Sequence, residues 1–164
     1  MRILGVDPGI GRTGWGIIDI ENSKLKIVNC GCIETRAGTK VENRLLTISL
    51  EIESLIKEYK PDVLSIEELF FSTNAKTAFI VGQARGVVLL LAAKNKLEVS
   101  IYTPLQVKMA LTGYGRADKN QIAQMVKVIL KLEKIPKIDD TSDALAVAIT
   151  HAFSAKLKNL NIRN

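Results

Sequence analysis

The sequence predicts an α/β domain: a five-stranded mixed sheet, built from an antiparallel meander plus two parallel strands, with helices on both faces. Three observations predict it. The chain opens with three apolar, β-branched runs separated by turn-forming stretches, and a meander is the simplest way to pair them. Beyond them, stretches with apolar residues at helical spacing alternate with short runs of strand length, the order that adds parallel strands through helical crossovers. At 164 residues, 47% hydrophobic and 24% charged, the chain can fill one core but not two comfortable ones, so a single domain over 1–164 is expected.

The elements follow in order. Arg2 to Val6, Gly14 to Ile20 and Leu25 to Glu34 are the three meander strands, broken by DPGIGRT and ENSK. From Glu42 to Tyr59 the residues Leu45, Ile48, Ile52, Leu55, Ile56 and Tyr59 recur at helical spacing with charged residues between them. DVLSIE, Asp62 to Glu67, reads as a strand, and a helix is expected from about Asn74 to Asn95. VSIYT, Val99 to Thr103, is the fifth strand; its last residue can cap a short helix that begins at Pro104. Asp118 and Gln121 have the spacing of a capping box for a helix reaching about Leu132. A last helix begins near Thr141 and runs through ALAVAITHAF.

The net charge of +6, with a pI near 9.4, suits a polyanionic partner such as nucleic acid. Cys30 and Cys32 share one strand face, with α-carbons near the upper limit for a disulfide, so reduced thiols are expected. With His151 the only histidine, a structural zinc lacks ligands. MRILGVDPG has too short an apolar run for a signal peptide, and Val87 to Ala93 falls far below the roughly 20 residues of a membrane span. A cytoplasmic protein with no membrane partner is the expectation.

Chemistry is carried by acids. Asp7 before Pro-Gly is either an ordinary turn initiator or an acid that closes a buried strand, at the sheet edge where α/β proteins keep their sites. Glu67 ends the fourth strand as Asp7 ends the first. If those strands are parallel neighbours, both carboxylates emerge at one edge, beside the small residues Gly5 and Ser65, which would leave space for a site. Glu68, on the other strand face, is the rival. Asp140 and Asp143 lie i, i+3 at the start of the last helix, with Asp139 beside them. They read either as a cap and a first-turn acid favoured by the helix dipole or as two further site residues.

Two unpaired carboxylates about 4 Å apart repel by roughly 4 kcal/mol at an effective dielectric of 20, so four together call for cations or protons. Oxygen-only ligands select hard ions, Mg²⁺ or Mn²⁺ over Zn²⁺. Such a pair of ions suits phosphodiester hydrolysis. An acidic site in a basic protein therefore points to nucleic-acid cleavage.

Taken together, DPGIGRTGWG, SIEELFFSTNAKTAFIVGQARG, the lysines of QVK and ADKNQ, and DDTSDALAVAITH resemble the RuvC-type Holliday junction resolvases of bacteria, in order and spacing across nearly the full chain. The resemblance implies a ribonuclease H-like fold and a crossover junction endodeoxyribonuclease. It would resolve four-way DNA junctions in recombination and repair by paired symmetric nicks, with two Mg²⁺ per active site and Mn²⁺ as a substitute. It further implies a homodimer, and branch-migration proteins of the RuvA and RuvB type as partners. By motif, Asp7, Glu67, Asp140 and Asp143 look like the metal-binding, catalytic acids, with Asp139 a competitor for the place of Asp140. Lys108 and Lys119 match family lysines near the site, Lys119 as a catalytic group, and Phe70 matches an aromatic that contacts junction bases. Without the family, both lysines read as solvated helix residues and Phe70 as a core or interface residue; exposure decides.

Three rivals remain. A related nuclease acting on RNA would carry much the same acids. An actin-like ATPase or sugar kinase shares the strand, DPG turn and meander but binds nucleotide between two domains. A non-catalytic DNA-binding module would be burdened by acids that repel phosphate.

Overall fold

The computed structural model describes residues 1–22, 24–68 and 75–161. Its elements are β1 (Arg2–Asp7), β2 (Arg12–Glu21), β3 (Lys24–Glu34), α1 (Val41–Tyr59), β4 (Val63–Glu67), α2 (Ala75–Lys94), β5 (Glu98–Tyr102), α3 (Pro104–Thr112), α4 (Lys119–Leu130) and α5 (Asp139–Asn161). The sheet order is β3-β2-β1-β4-β5. β1, β2 and β3 form the antiparallel meander, while β4 and β5 run parallel to β1. The expected architecture is therefore the observed one.

Side-chain alternation sorts the sheet into two faces. Leu4, Val6, Ile17, Leu64 and Ile66 pack with Ile48, Ile52 and Ile56 of α1 and Ala84, Val88 and Leu91 of α2. On the other face, Ile3 and Ile18 pack with Val107 and Leu111 of α3, Ile122 and Val126 of α4, and Leu145 and Ile149 of α5. Asp7 and Glu67 follow Ile3 and Val63 at even spacing and so lie on the α5 face.

Local chemistry sets the helix ends. Thr103 accepts from the Gln106 backbone while the Gln106 side chain accepts from Thr103, with Pro104 opening α3. Asp118 and Gln121 form the same box at α4. α4 stops at Leu130, short of Leu132, because Lys131 turns left-handed with φ 54°. α5 begins at Asp139, two residues before the expected start, and Thr141 N–H already donates to the Ile138 carbonyl at 3.1 Å. Asp140 is thus a first-turn acid, not the N-cap.

α5 lies unusually close to the sheet. A β-carbon at Gly14 would overlap the Asp140 carbonyl oxygen, and one at Gly5 the Ala144 carbonyl. Ser65 Oγ donates to the Val147 carbonyl at 2.8 Å, and Thr141 Oγ1 to the Gly31 carbonyl at 3.0 Å. The space beside Gly5 and Ser65 that the sequence suggested for a ligand is filled by this helix; the site opens further along, past the strand ends. Gly14→Ala should therefore destabilise the protein by about 3 kcal/mol in urea unfolding. Gly86→Ala on α2, where an added methyl meets nothing, should cost none.

Candidate active site

The register that pairs Val6 with Ile66 continues one step to set Asp7 beside Glu67 at the carboxyl ends of β1 and β4. Asp7 also pairs with Gly14 of β2, the residue on which the first turn of α5 rests. Through that contact the sheet carries Asp140 and Asp143 to the same edge. A cavity of about 330 Å³ opens there, lined by Asp7, Glu67, Asp143, Lys108 and Lys119, with Val107 and Ile122 among its apolar walls.

The acids act on one another electrostatically. Burial, followed by the charges of Asp143, Asp140 and Glu67, pushes the Asp7 carboxyl from 3.8 up to about 7. Glu67 is raised by burial and then by Asp143, with Lys119 and Lys108 acting against the rise. Lys119 Nζ donates to Asp143 Oδ2 at 3.1 Å, and the carboxylate raises the lysine's own pKa. Arg12 Nε lies 3.2 Å from Asp140 Oδ2, a contact not aligned as a hydrogen bond, which leaves that buried oxygen without a donor.

The expected site residues divide as follows. Asp7, Glu67, Asp143, Lys108 and Lys119 share the cavity, while Asp140 stands outside its lining, close enough to act on Asp7. Asp139 is exposed and so is Glu68, whose backbone N–H is engaged by the Tyr102 carbonyl at 2.8 Å. Glu67 thus lines the cavity and Glu68 does not, while of the two acids opening α5 it is Asp140 whose charge reaches Asp7. Lys108 is half-buried in the cavity, and Lys119, though 78% exposed in its side chain, is held by Asp143, so neither is a free surface lysine. Phe70 lies outside the described residues. His151 is buried, with Nδ1 3.0 Å from the Tyr102 hydroxyl, a core role rather than a site role. Cys30 and Cys32 are free thiols.

The acids that line the cavity, Asp7, Glu67 and Asp143, offer it only carboxylate oxygens, which fits a hard divalent cation. The raised proton affinity of Asp7 and the orphaned Asp140 oxygen are what such a cation would relieve. Among the described residues no three carboxylates, imidazoles or thiols are gathered around a single point; Asp143 accepts from Lys119, and Asp140 lies beside Arg12.

The family model described as crossover junction endodeoxyribonuclease RuvC matches residues 3–151. The chain belongs to the RuvC family. A RuvC from Caldicellulosiruptor saccharolyticus is 54% identical over 156 residues, covering 94% of each chain. One from Desulfitobacterium hafniense is 55% identical over 159 residues, covering 97% of this chain and 96% of that one. Among solved structures, T. thermophilus RuvC in complex with Holliday junction substrate matches with a TM-score of 0.91 at 34% identity, covering 96% of both chains. The chain thus has the ribonuclease H-like fold that its motifs implied.

A carboxyl whose pKa is higher in the folded than in the unfolded chain favours folding below its unfolded value near 4, and the contribution is lost as pH rises through about 7. In chelator at pH 8, Asp7→Asn should therefore raise the free energy of unfolding, by on the order of 4 kcal/mol at most. The gain should shrink to almost nothing by pH 4, as read by urea unfolding at the two pH values.

Proposed function

We propose that this protein is a structure-selective endonuclease that resolves four-way DNA junctions by paired symmetric phosphodiester hydrolysis, with Asp7, Glu67, Asp140 and Asp143 as its metal-binding acids. The observation that carries this reading is the meeting of Asp7, Glu67 and Asp143 with two lysines in one cavity, on a chain of the RuvC family. RuvC nucleases are metal-dependent. Mg²⁺, two per site with Mn²⁺ as a substitute, is the choice that an all-oxygen donor set favours. Bound divalent ions would supply an activated water and neutralise charge on the departing oxygen.

The chain's own residues do the rest. Glu67 and Asp7, fixed on adjacent strands, present their carboxylates from a rigid base, while Asp140 and Asp143 approach from a helix wedged against the sheet. Lys119 and Lys108 carry positive charge into the same cavity, where it can stabilise the extra negative charge of a phosphate under attack. The apolar walls Val107 and Ile122 limit the water around them.

A junction cut symmetrically on two strands calls for two sites, and a two-fold homodimer supplies them. Phe79, Gly86 and Leu90 form an exposed stripe on α2, and Leu46 and Leu50 an exposed pair on α1, whereas Ala84, Val88, Leu91 and Ala92 of the same α2 face the core. The stretch GQARGVVLLLAA thus divides between core and a surface suited to the dimer contact. Partners of the RuvA and RuvB type and a cytoplasmic location belong to the same reading. Among the described residues no helix is long and apolar enough to cross a membrane.

Asp7→Asn and Glu67→Gln should each abolish cleavage of a synthetic four-way junction in Mg²⁺ while junction binding persists in chelator. Glu68→Gln and Asp139→Asn should keep at least half of the wild-type rate in the same gel assay. A matched linear duplex should resist cleavage throughout, and RNA cleaved in preference to the junction would favour the rival nuclease. Mixed dimers with one wild-type and one Asp7→Asn subunit should nick one strand yet fail to release two linear duplexes; paired resolution by a monomer would remove the dimer from the mechanism.

A further inference from the structure

Two arginines, Arg12 beside Asp140 and Arg44 at the loop after β1, are not used by the chemistry above. Thr35, just past β3, donates its backbone N–H to the Gly11 carbonyl at 3.0 Å and its hydroxyl to the Ile10 carbonyl. Arg44, in the first turn of α1, donates from Nε to Thr35 Oγ1 at 2.8 Å. The loop after β1, the strand end of β3 and the start of α1 are thereby braced into one corner. Arg44 is held there by a single nitrogen. Among the described residues its two terminal nitrogens have no acceptor, and a β-carbon at Gly11 would lie 3.4 Å from Nη2.

On the other side of Gly11 stands Arg12, with its side chain 56% exposed and its Nε 3.2 Å from Asp140 Oδ2. Glu34, which faces Arg12 in the β2–β3 register, makes no ion pair with it. Arg36 and Lys40 are exposed on the connection that leads into α1. The corner thus presents a pre-positioned guanidinium fork and a second arginine that reaches both an acid of the site and solvent. It lies on the β2 side of the acids, outside the cavity that holds Lys108 and Lys119.

We propose that Arg12 and Arg44 form a binding corner for a phosphate of a nucleic-acid strand, holding its backbone next to the acids; this rests on the nuclease reading above. The guanidinium fork matches phosphate oxygens in pairs, and Thr35 pre-orients one fork through its Nε. A phosphate so held is not the one being cut. It is a neighbour on the same strand, and its capture sets the register of the backbone across the acids without reading sequence.

The test is junction binding by the full chain, followed by fluorescence anisotropy in chelator across a salt series, for wild type, Arg44→Ala, Arg12→Ala and the double substitution, with thermal unfolding of each. The double variant should bind about tenfold more weakly, as expected for lost charge-assisted hydrogen bonds. The slope of log K against log salt should fall by about 1 for each arginine removed. Arg44→Lys should recover less than half of the affinity that Arg44→Ala loses, because an ammonium cannot replace the fork. Arg12 is largely exposed, so if Arg44→Ala does not fold, the slope of Arg12→Ala decides. Unchanged affinity and slope in folded variants would overturn the corner. Failure of the wild type to cleave the junction in Mg²⁺ would instead overturn the nuclease reading, and is separable because binding is read without metal.

Discussion

The closeness of α5 to the sheet is the constraint on which the site depends. Where Gly14 and Gly5 lack side chains, the helix backbone settles onto β2 and β1, and Ser65 and Thr141 tie it down by hydrogen bonds. At that separation Asp140 and Asp143 of α5 act on Asp7. A single methyl at Gly14 would push against the carbonyl of Asp140 itself, so packing and site geometry are set by the same atoms. The almost wholly apolar run after Asp143, with Ala144, Leu145, Ala148 and Ile149 fully buried, fixes the helix along its length. Its acidic start is therefore as rigid as the core.

That rigidity has an electrostatic cost. The folded chain holds Asp7 among three other carboxylates in a partly dry setting, and the result is a carboxyl that titrates near neutrality. Natural folds tolerate such tension where function needs it, because stability summed over the rest of the core exceeds the local loss. Two of the acids are partly relieved by cations that arrive from other elements, Lys119 from the first turn of α4 and Arg12 from the start of β2.

Much of this was legible in the sequence, for physical reasons that differ from residue to residue. The mixed sheet follows from a meander plus two crossovers; that β1 and β4 are neighbours is a tertiary outcome, and once they pair in parallel the shared edge of Asp7 and Glu67 follows from a period of two. Asp118 and Gln121 announced their helix because a capping box is local chemistry. α5 starts two residues before the position the sequence suggests, because Asp139 and Asp140 are as acceptable in a first turn as before it, and the tertiary contact with Gly14 decides. The room beside Gly5 and Ser65 looks in the sequence like space for a ligand, since a sequence does not distinguish a gap left for a molecule from one left for a helix backbone. Arg12 and Arg44 gave no signal, for their meeting depends on Thr35 and on a corner assembled from three segments distant in sequence.

The pairing of acids with cations also bears on how an acidic site can work inside a protein of net charge +6. A carboxylate bound to Lys119 or faced by Arg12 is less available to a metal, and the same lysine or arginine is less available to a phosphate. Ligands of opposite sign therefore help each other at this edge. On the proposed reading, a cation taking the carboxylates would release Lys119 and Arg12 toward an anionic strand, and a strand drawing those side chains away would bare the carboxylates. Such coupling is reciprocal by thermodynamic necessity and needs no movement of the backbone, only the exchange of ion-pair partners over a few ångströms. Such pairing would reconcile converging acids with a chain whose overall charge favours nucleic acid.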